Sequence, residues 1–375
     1  MRHYDSFNGL RGYAAIGILL MHYLANINTE TALYLKGSNP LLYGQIIPFL
    51  TMFVYMFFSV SAFSMCCGYF EKFKMKTARI ENKDMFVSNF DTNRFYLKRY
   101  GRIWPFFALL VCLDFAMKPS LNEFYQAFAD LTLAFNLLPN PKISVVGVGW
   151  FLGVVFLFYM IFPWFVFLLQ TKKRAWFAMV IALVFHIILV QYFLTSEFCT
   201  ESQIKAPRHN FIYSFPFFMA GGLLYLYREK ISFPKLWQRI VLLIVAVLAT
   251  CLYFTPFAPM PFGEKILWVG VIFVLWVMYA ITGGISIKGF KLLDNNVASF
   301  LGGLSMEIYL CHMFMFRIIE KVHLEKFIGN PHALYWLYCV LGVVLAILFS
   351  WVVTKIVFPK CAKLIDNNLK PFIMK

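Results

Sequence analysis

An all-α, polytopic integral membrane protein of about ten transmembrane helices, with one further helix lying in the membrane interface, is the architecture to expect from this chain. Three observations carry that expectation. Of 375 residues, 61% are hydrophobic and only 14% charged, with a mean hydropathy of +0.70, outside the range of ordinary soluble domains. Apolar runs of about 20 residues, the length that crosses a bilayer as a helix, recur along the whole chain. The basic residues fall mostly on alternate connecting segments, nine of them between Lys72 and Arg102, as membrane proteins gather Lys and Arg on their inner side. That asymmetry also accounts for much of the net charge of +16 without nucleic acid as a partner.

The apolar runs put spans near 10–28, 45–64, 100–118, 147–169, 175–194, 211–228, 237–254, 265–283, 297–317 and 334–357. The charge pattern orients them with the N- and C-termini cytoplasmic in a multi-pass protein of the cell membrane. The N-terminus resembles a signal peptide but lacks a small-residue cleavage site, so its apolar run is kept as the first span. With the longest inner loop near 65–99 and a short C-terminal tail, residues 1–375 read as a single transmembrane domain with no appended soluble domain. Catalysis, if any, must then be built within the bundle and its loops. Eight cysteines show no C-x-x-C or Cys/His spacing, so neither a disulfide framework nor a metal site is indicated. Between the third and fourth spans, PSLNEFYQAFADLTLAFNLLP is too polar to cross. Ser120 and Glu123 have capping-box spacing and Phe124, Phe128, Leu131 and Phe135 follow at helical intervals, which predicts a helix lying in the outer interface, as packing or as a lid. No internal repeat of the kind many transporters carry is visible.

Ionisable residues inside the spans are the candidates for chemistry, because such groups are costly there. Arg11 and His22 are eleven residues apart on the first span, which returns them to within roughly 20° of one helical direction, about 16 Å apart along the axis. At the inner end of the third span, FYLKRYGRIWPFF carries Lys98, Arg99 and Arg102. Guanidinium forks three residues apart can clamp a phosphate or pyrophosphate, although basic residues at this boundary also serve as topology anchors. The ninth span holds Glu307 and His312, about 140° apart around the helix. Glu307, and Asp114 near the outer end of the third span, each need a partner or a proton. His186 has no accompanying pattern and reads as structural, while Trp150 and Trp164 read as interfacial aromatics.

Together these stretches resemble the acyltransferase 3 family of membrane-bound acyltransferases, which modify bacterial surface sugars and other acceptors with cytoplasmic acyl-CoA. FNGLRGYAAIGILLMHY is similar to the family's opening motif, MFFSVSAFSM to its Phe-rich second helix and FYLKRYGRIWPFF to its R-x-x-R segment. GWFLGVVFLFYMIFP and LSMEIYLCH are similar to its fourth and late helices, in the same order over nearly the whole chain. The resemblance implies that Arg11 and His22 are the R-x10-H pair, with His22 the essential histidine, and that Arg99 and Arg102, with Lys98 beside them, serve acyl-CoA. The chain departs from the pattern at Asn8, where aspartate is usual, at Ala62, where glycine is common, and at Val154 to Phe156, where many members have glutamates. Asp5 is the nearest acid that could hold Arg11.

The function that follows is transfer of an acyl group, acetyl first, from acyl-CoA to a hydroxyl of a cell-surface glycan or similar acceptor, as in O-acetylation of an envelope polysaccharide. The donor is a substrate, and no metal is called for. His22 would deprotonate the acceptor or carry the acyl group, and His312 would orient the acceptor or hold the oxyanion, with Glu307, Asp114 and Asp5 as supporting acids. The competing readings are a transporter or flippase that uses the same intramembrane Arg, His and acidic groups as a substrate or proton path, and a non-catalytic acyl-CoA sensor. Loops 29–44 and 195–210 face the acceptor side, but their composition names no sugar.

Overall fold

Helices stand at all ten places where an apolar run occurs, because each run hides its backbone groups in intrahelical hydrogen bonds, the cheapest solution in lipid. The computed structural model describes residues 4–73, 76–80, 83–87, 90–137, 146–199, 209–287 and 289–360, so most of the 195–210 loop lies outside the described residues. In chain order the helices are α1 (Ser6–Asn26), α2 (Thr29–Ser38), α3 (Leu42–Phe73), α4 (Thr92–Met117), α5 (Leu121–Leu131), α6 (Trp150–Leu169), α7 (Lys172–Phe193), α8 (Phe211–Tyr227), α9 (Leu236–Tyr253), α10 (Lys265–Ile281), α11 (Asn296–Gly303), α12 (Ser305–Glu320) and α13 (Pro331–Lys360). Strand occurs, among the described residues, in two short antiparallel hairpins: β1 (Lys76–Ile80) with β2 (Lys83–Val87), and β3 (Ser286–Ile287) with β4 (Phe290–Lys291).

Six helices, α3, α4, α6, α7, α9 and α13, are long and apolar enough to cross a membrane, and α11 with α12 makes a seventh if that pair, bent by 68°, is one span. The protein is therefore a multi-pass helical membrane protein. Helices α8 and α10 have 17 residues each, at the short end of the spanning range. Helix α1 has ample length, 21 residues, but is diluted by polar and small residues. Its environment explains that composition: α1 runs through the middle of the bundle and meets protein on most sides. A Cβ on Gly9 or on Gly302 would collide with backbone of the opposing segment, at Leu293 and at Asn8 respectively. Small residues here let backbones approach closely, the usual way helices associate where no hydrophobic effect separates them from lipid.

Helix α3 continues to Phe73, nine residues beyond the end expected from hydropathy. Glu71 and Lys72 break the apolar run without breaking the helix, and the extra turns carry Tyr69 and Lys72 to the mouth of the bundle.

The segment after α4 forms the helix expected between the third and fourth spans. Ser120 caps α5, its hydroxyl accepting from the Glu123 amide at 3.1 Å, and the helix forms where the spacing predicts it. It then folds back along α4, with Leu121, Tyr125 and Phe128 exposed. Phe124 packs on Phe115 with ring centroids 6.1 Å apart, and the Leu131 carbonyl accepts from Trp104 Nε1 at 2.9 Å. Phe135 lies 6.5 Å from the Phe107 ring, and a Cβ on Gly149 would meet Phe107 at 2.8 Å. The chain thus returns to the middle of α4 before α6 begins. Trp150 is consequently buried, its carbonyl accepting from Asn136 Nδ2 at 3.0 Å and its ring stacked on His209 at 4.6 Å. It is not an interfacial aromatic, whereas Trp164 is exposed. Non-helical backbone at such depth persists only where protein or a wet cavity surrounds it.

Gly302→Ala is expected to lower stability by about 1–3 kcal/mol, because the new methyl must displace backbone. Gly303→Ala, whose added Cβ meets open space, should stay within about 0.5 kcal/mol of the parent. Thermal unfolding of the detergent-purified variants measures both.

Candidate active site

His22 and His312 are brought together. His22 Nδ1 lies 3.0 Å from His312 Nε2, with the ring centroids 4.9 Å apart, joining α1 to α12 across 290 residues of sequence. His312 is fully buried and His22 partly so. The Nδ1 of His312 faces the backbone carbonyl of Tyr309 one helical turn earlier. A carbonyl only accepts, so that nitrogen carries the proton, and in the neutral ring Nε2 is then the acceptor. His22 must present Nδ1–H to it, which leaves the lone pair of His22 on Nε2. The backbone of α12 thereby selects the tautomer of a histidine on another helix.

Tyrosine hydroxyls hold this arrangement. Tyr23 donates to the His312 carbonyl at 3.0 Å, Tyr335 to the Leu20 carbonyl at 3.0 Å and Tyr309 to the Val148 carbonyl at 3.1 Å. The third bond ties the helix of His312 to the segment that folds back before α6. Gly342 on α13 is flush against the Tyr23 ring and has no room for a side chain. The sequence signal for Tyr309 is its position three residues before His312. Nothing local marks Tyr23, Tyr335 or Gly342, whose partners are all distant in sequence.

Arg11 faces a second feature, a cavity of about 420 Å³ lined by Arg11, Ser64, Tyr69, Lys72, Lys98 and Arg99 with Ser61 and Tyr159. Four cations on three helices therefore surround one opening. Arg11 Nη2 donates to Ser64 Oγ at 2.6 Å, and among the described residues no carboxylate pairs with it, neither Asp5 nor an acid of another helix. Asp5 stands just before α1 and is exposed. Arg99 donates to Tyr69 Oη at 3.1 Å, and its guanidinium lies over the Tyr69 and Tyr159 rings at 5.3 and 5.8 Å, the stacked geometry that arginine favours. These side chains hold the charges in place without neutralising them. Lys72 and Tyr69 were not legible as site residues, because hydropathy ends the second span before them, and Ser61 and Ser64 were not, because serine inside an apolar run carries no charge to mark it.

Arg102 does not share this cavity. It is bound to Glu307 by Nη1–Oε1 and Nη2–Oε2 contacts of 2.6 and 3.4 Å, and it lines a separate cavity against α11, α12 and α13. Arg99 and Arg102, expected from their spacing to be able to clamp one phosphate, line different cavities here. Three residues along a helix separate them by about 60° in direction, and here that is enough to face different neighbours. Glu307 is spoken for in the same stroke, and Asp114 finds Arg317, Oδ1–Nη1 at 2.8 Å and Oδ2–Nη2 at 3.0 Å. His186 is buried with Nδ1 2.8 Å from the Tyr213 carbonyl, a packing role.

The acidic residues therefore serve as partners for arginine. Arg102–Glu307 and Asp114–Arg317 join α4 to α12 on either side of His312, which fixes the level of that histidine relative to the helix that carries Lys98 and Arg99.

A family model described as an acyltransferase domain, that of acyltransferase 3, matches residues 4–355. No curated protein and no solved structure matches the chain.

Arg317→Ala is expected to destabilise the protein by about 3–5 kcal/mol, because it strands a buried carboxylate. The double variant Asp114→Asn/Arg317→Gln should recover most of that loss. Thermal unfolding of the two variants and the parent tests this, and equal destabilisation by single and double variants would remove the ion pair from the account.

Proposed function

The chain belongs to the acyltransferase 3 family, and we propose that it transfers an acyl group, acetyl first, from cytoplasmic acyl-CoA to a hydroxyl of a cell-surface glycan or similar acceptor. The single observation that carries the reading is the His22–His312 pair, in which a backbone carbonyl on α12 leaves the lone pair of His22 on Nε2. The thioester is already activated, so the reaction needs a base and stabilisation of the oxyanion. His22 Nε2 takes the acceptor hydroxyl proton as the oxygen attacks the thioester carbonyl. The C–S bond then breaks, the acyl group stays on the acceptor oxygen, and the imidazolium returns its proton to the CoA thiolate. His312 is a positioning residue in this scheme, holding the tautomer and accepting from the other nitrogen, as the third member of a nucleophile–base–orienter set does.

The cavity of Arg11, Lys72, Lys98 and Arg99 is the proposed seat of the CoA phosphates. A polyanion suits a cluster of four cations in which a serine hydroxyl holds Arg11 and aromatic rings hold Arg99 without neutralising those two guanidinium groups. Its position beside α1 leaves the pantetheine arm to span the roughly 16 Å of helix between Arg11 and His22. In this proposal all ten helical places cross the membrane. The termini are cytoplasmic, in keeping with the concentration of Lys and Arg on that side, and the acceptor reaches His22 from the opposite side of the cell membrane.

Purified protein in lipid nanodiscs, given acetyl-CoA and membrane extract as acceptor source, should release free CoA. His22→Ala is expected to lower that rate by about 10²–10⁴-fold while the protein remains monodisperse. His312→Ala should lower kcat less and leave KM for acetyl-CoA unchanged, whereas Lys72→Ala and Arg99→Ala should raise that KM. Parental CoA release by folded His22→Ala would sink the base assignment, and substrate uptake into liposomes without CoA release would point to a transporter.

A further inference from the structure

The second charged cavity, about 480 Å³ in volume, is lined by Arg102, Ser299, Gly303, Glu307, Trp351 and Lys355 among others. It opens where α11 breaks from α12 and where α13 passes through a π-helical turn, Val353–Val357, an irregularity that helices retain mostly at functional positions. Glu307 is already matched by Arg102, whose side chain is nevertheless 50% exposed and keeps donors turned to the cavity. Lys355 makes no ion pair or side-chain hydrogen bond among the described residues, so the cavity carries a surplus cation beside the Ser299 hydroxyl. Phe300 and Trp351 are exposed at its edge. From Trp351 a stripe of exposed apolar residues, Leu348, Val344 and Val340, runs up α13 at helical spacing. That stripe faces away from the bundle, over about 16 Å of helix.

We propose that this cavity binds the phosphate headgroup of an anionic membrane lipid, with one acyl chain lying along the α13 stripe. The chemistry is that of a phosphate oxygen between Lys355, the free edge of Arg102 and a hydroxyl, at the membrane boundary where basic pockets between helices take such headgroups. A soluble phosphate would satisfy the same polar groups. The lipid is favoured because Trp351 both lines the cavity and begins the exposed apolar stripe of α13, which an acyl chain attached to the headgroup would cover. The site is independent of the acyl-transfer reading, since Lys355 belongs to neither the histidine pair nor the cavity of Arg11 and Arg99.

Full-length protein is purified from nanodiscs of mixed phosphatidylglycerol and phosphatidylcholine, and the retained lipid is measured by native mass spectrometry. The parent should retain phosphatidylglycerol over phosphatidylcholine. Lys355→Ala should reduce that retention about fivefold, Lys355→Arg should preserve it, and Lys235→Ala, on a different loop, should leave it unchanged. Equal retention of the two lipids, parental retention by Lys355→Ala, or an equal loss in Lys235→Ala would each overturn the site. Displacement of the lipid by millimolar inorganic phosphate or CoA would overturn the lipid in favour of a soluble phosphate.

Discussion

The constraint on which the structure turns is that each polar side chain carried by α12 into the bundle must find a partner there. Glu307 meets Arg102, His312 meets His22 and Arg317 meets Asp114. The three are spaced five residues apart, so each points about 140° away from the last, and no single neighbouring helix could satisfy them all. Leaving one unmatched inside the membrane would cost several kcal/mol. The relative rotation and height of α1, α4 and α12 are therefore tightly specified, and those three helices also carry His22, His312 and the cations Arg11, Lys98 and Arg99.

This division of labour separates two kinds of arginine. Arg102 and Arg317 meet carboxylates in ion pairs that align helices, Arg102 with part of its side chain still exposed, whereas Arg11 and Arg99 are held by a serine, a methionine sulfur and aromatic rings. The second kind of environment fixes a guanidinium and leaves its charge available to an anion. It is the availability, more than the number of basic residues near the boundary, that distinguishes the proposed donor cavity from topology anchors on the same loops.

The segment between α4 and α6 shows how depth is obtained in a bundle of this kind. A capped amphipathic helix turns back along α4, and irregular backbone reaches the level of Phe107, where Val148 is bonded by Tyr309 of the His312 helix. Irregular backbone packed against the His312 helix is tolerated because surrounding protein satisfies its polar groups.

Helix positions were legible in the sequence because lipid imposes both length and apolarity on a span, and the single-helix features that depend on the same rise and turn, such as the Ser120 cap, were legible too. The types of residue in the site were also visible, since an arginine or histidine inside an apolar run is conspicuous. What α12 does with them was not visible. Periodicity gives the direction in which His22 leaves its own helix, but the identity of the group waiting there depends on how α1 is rotated against a helix 290 residues later. The same limit explains the separation of Arg99 from Arg102, the pairing of Asp114 with Arg317 and the fold-back of α5. Each is a through-space match between facing surfaces, as are the close approaches of α1 at Gly9, Gly302 and Gly342, and packing of that kind is a property that no single stretch of sequence contains.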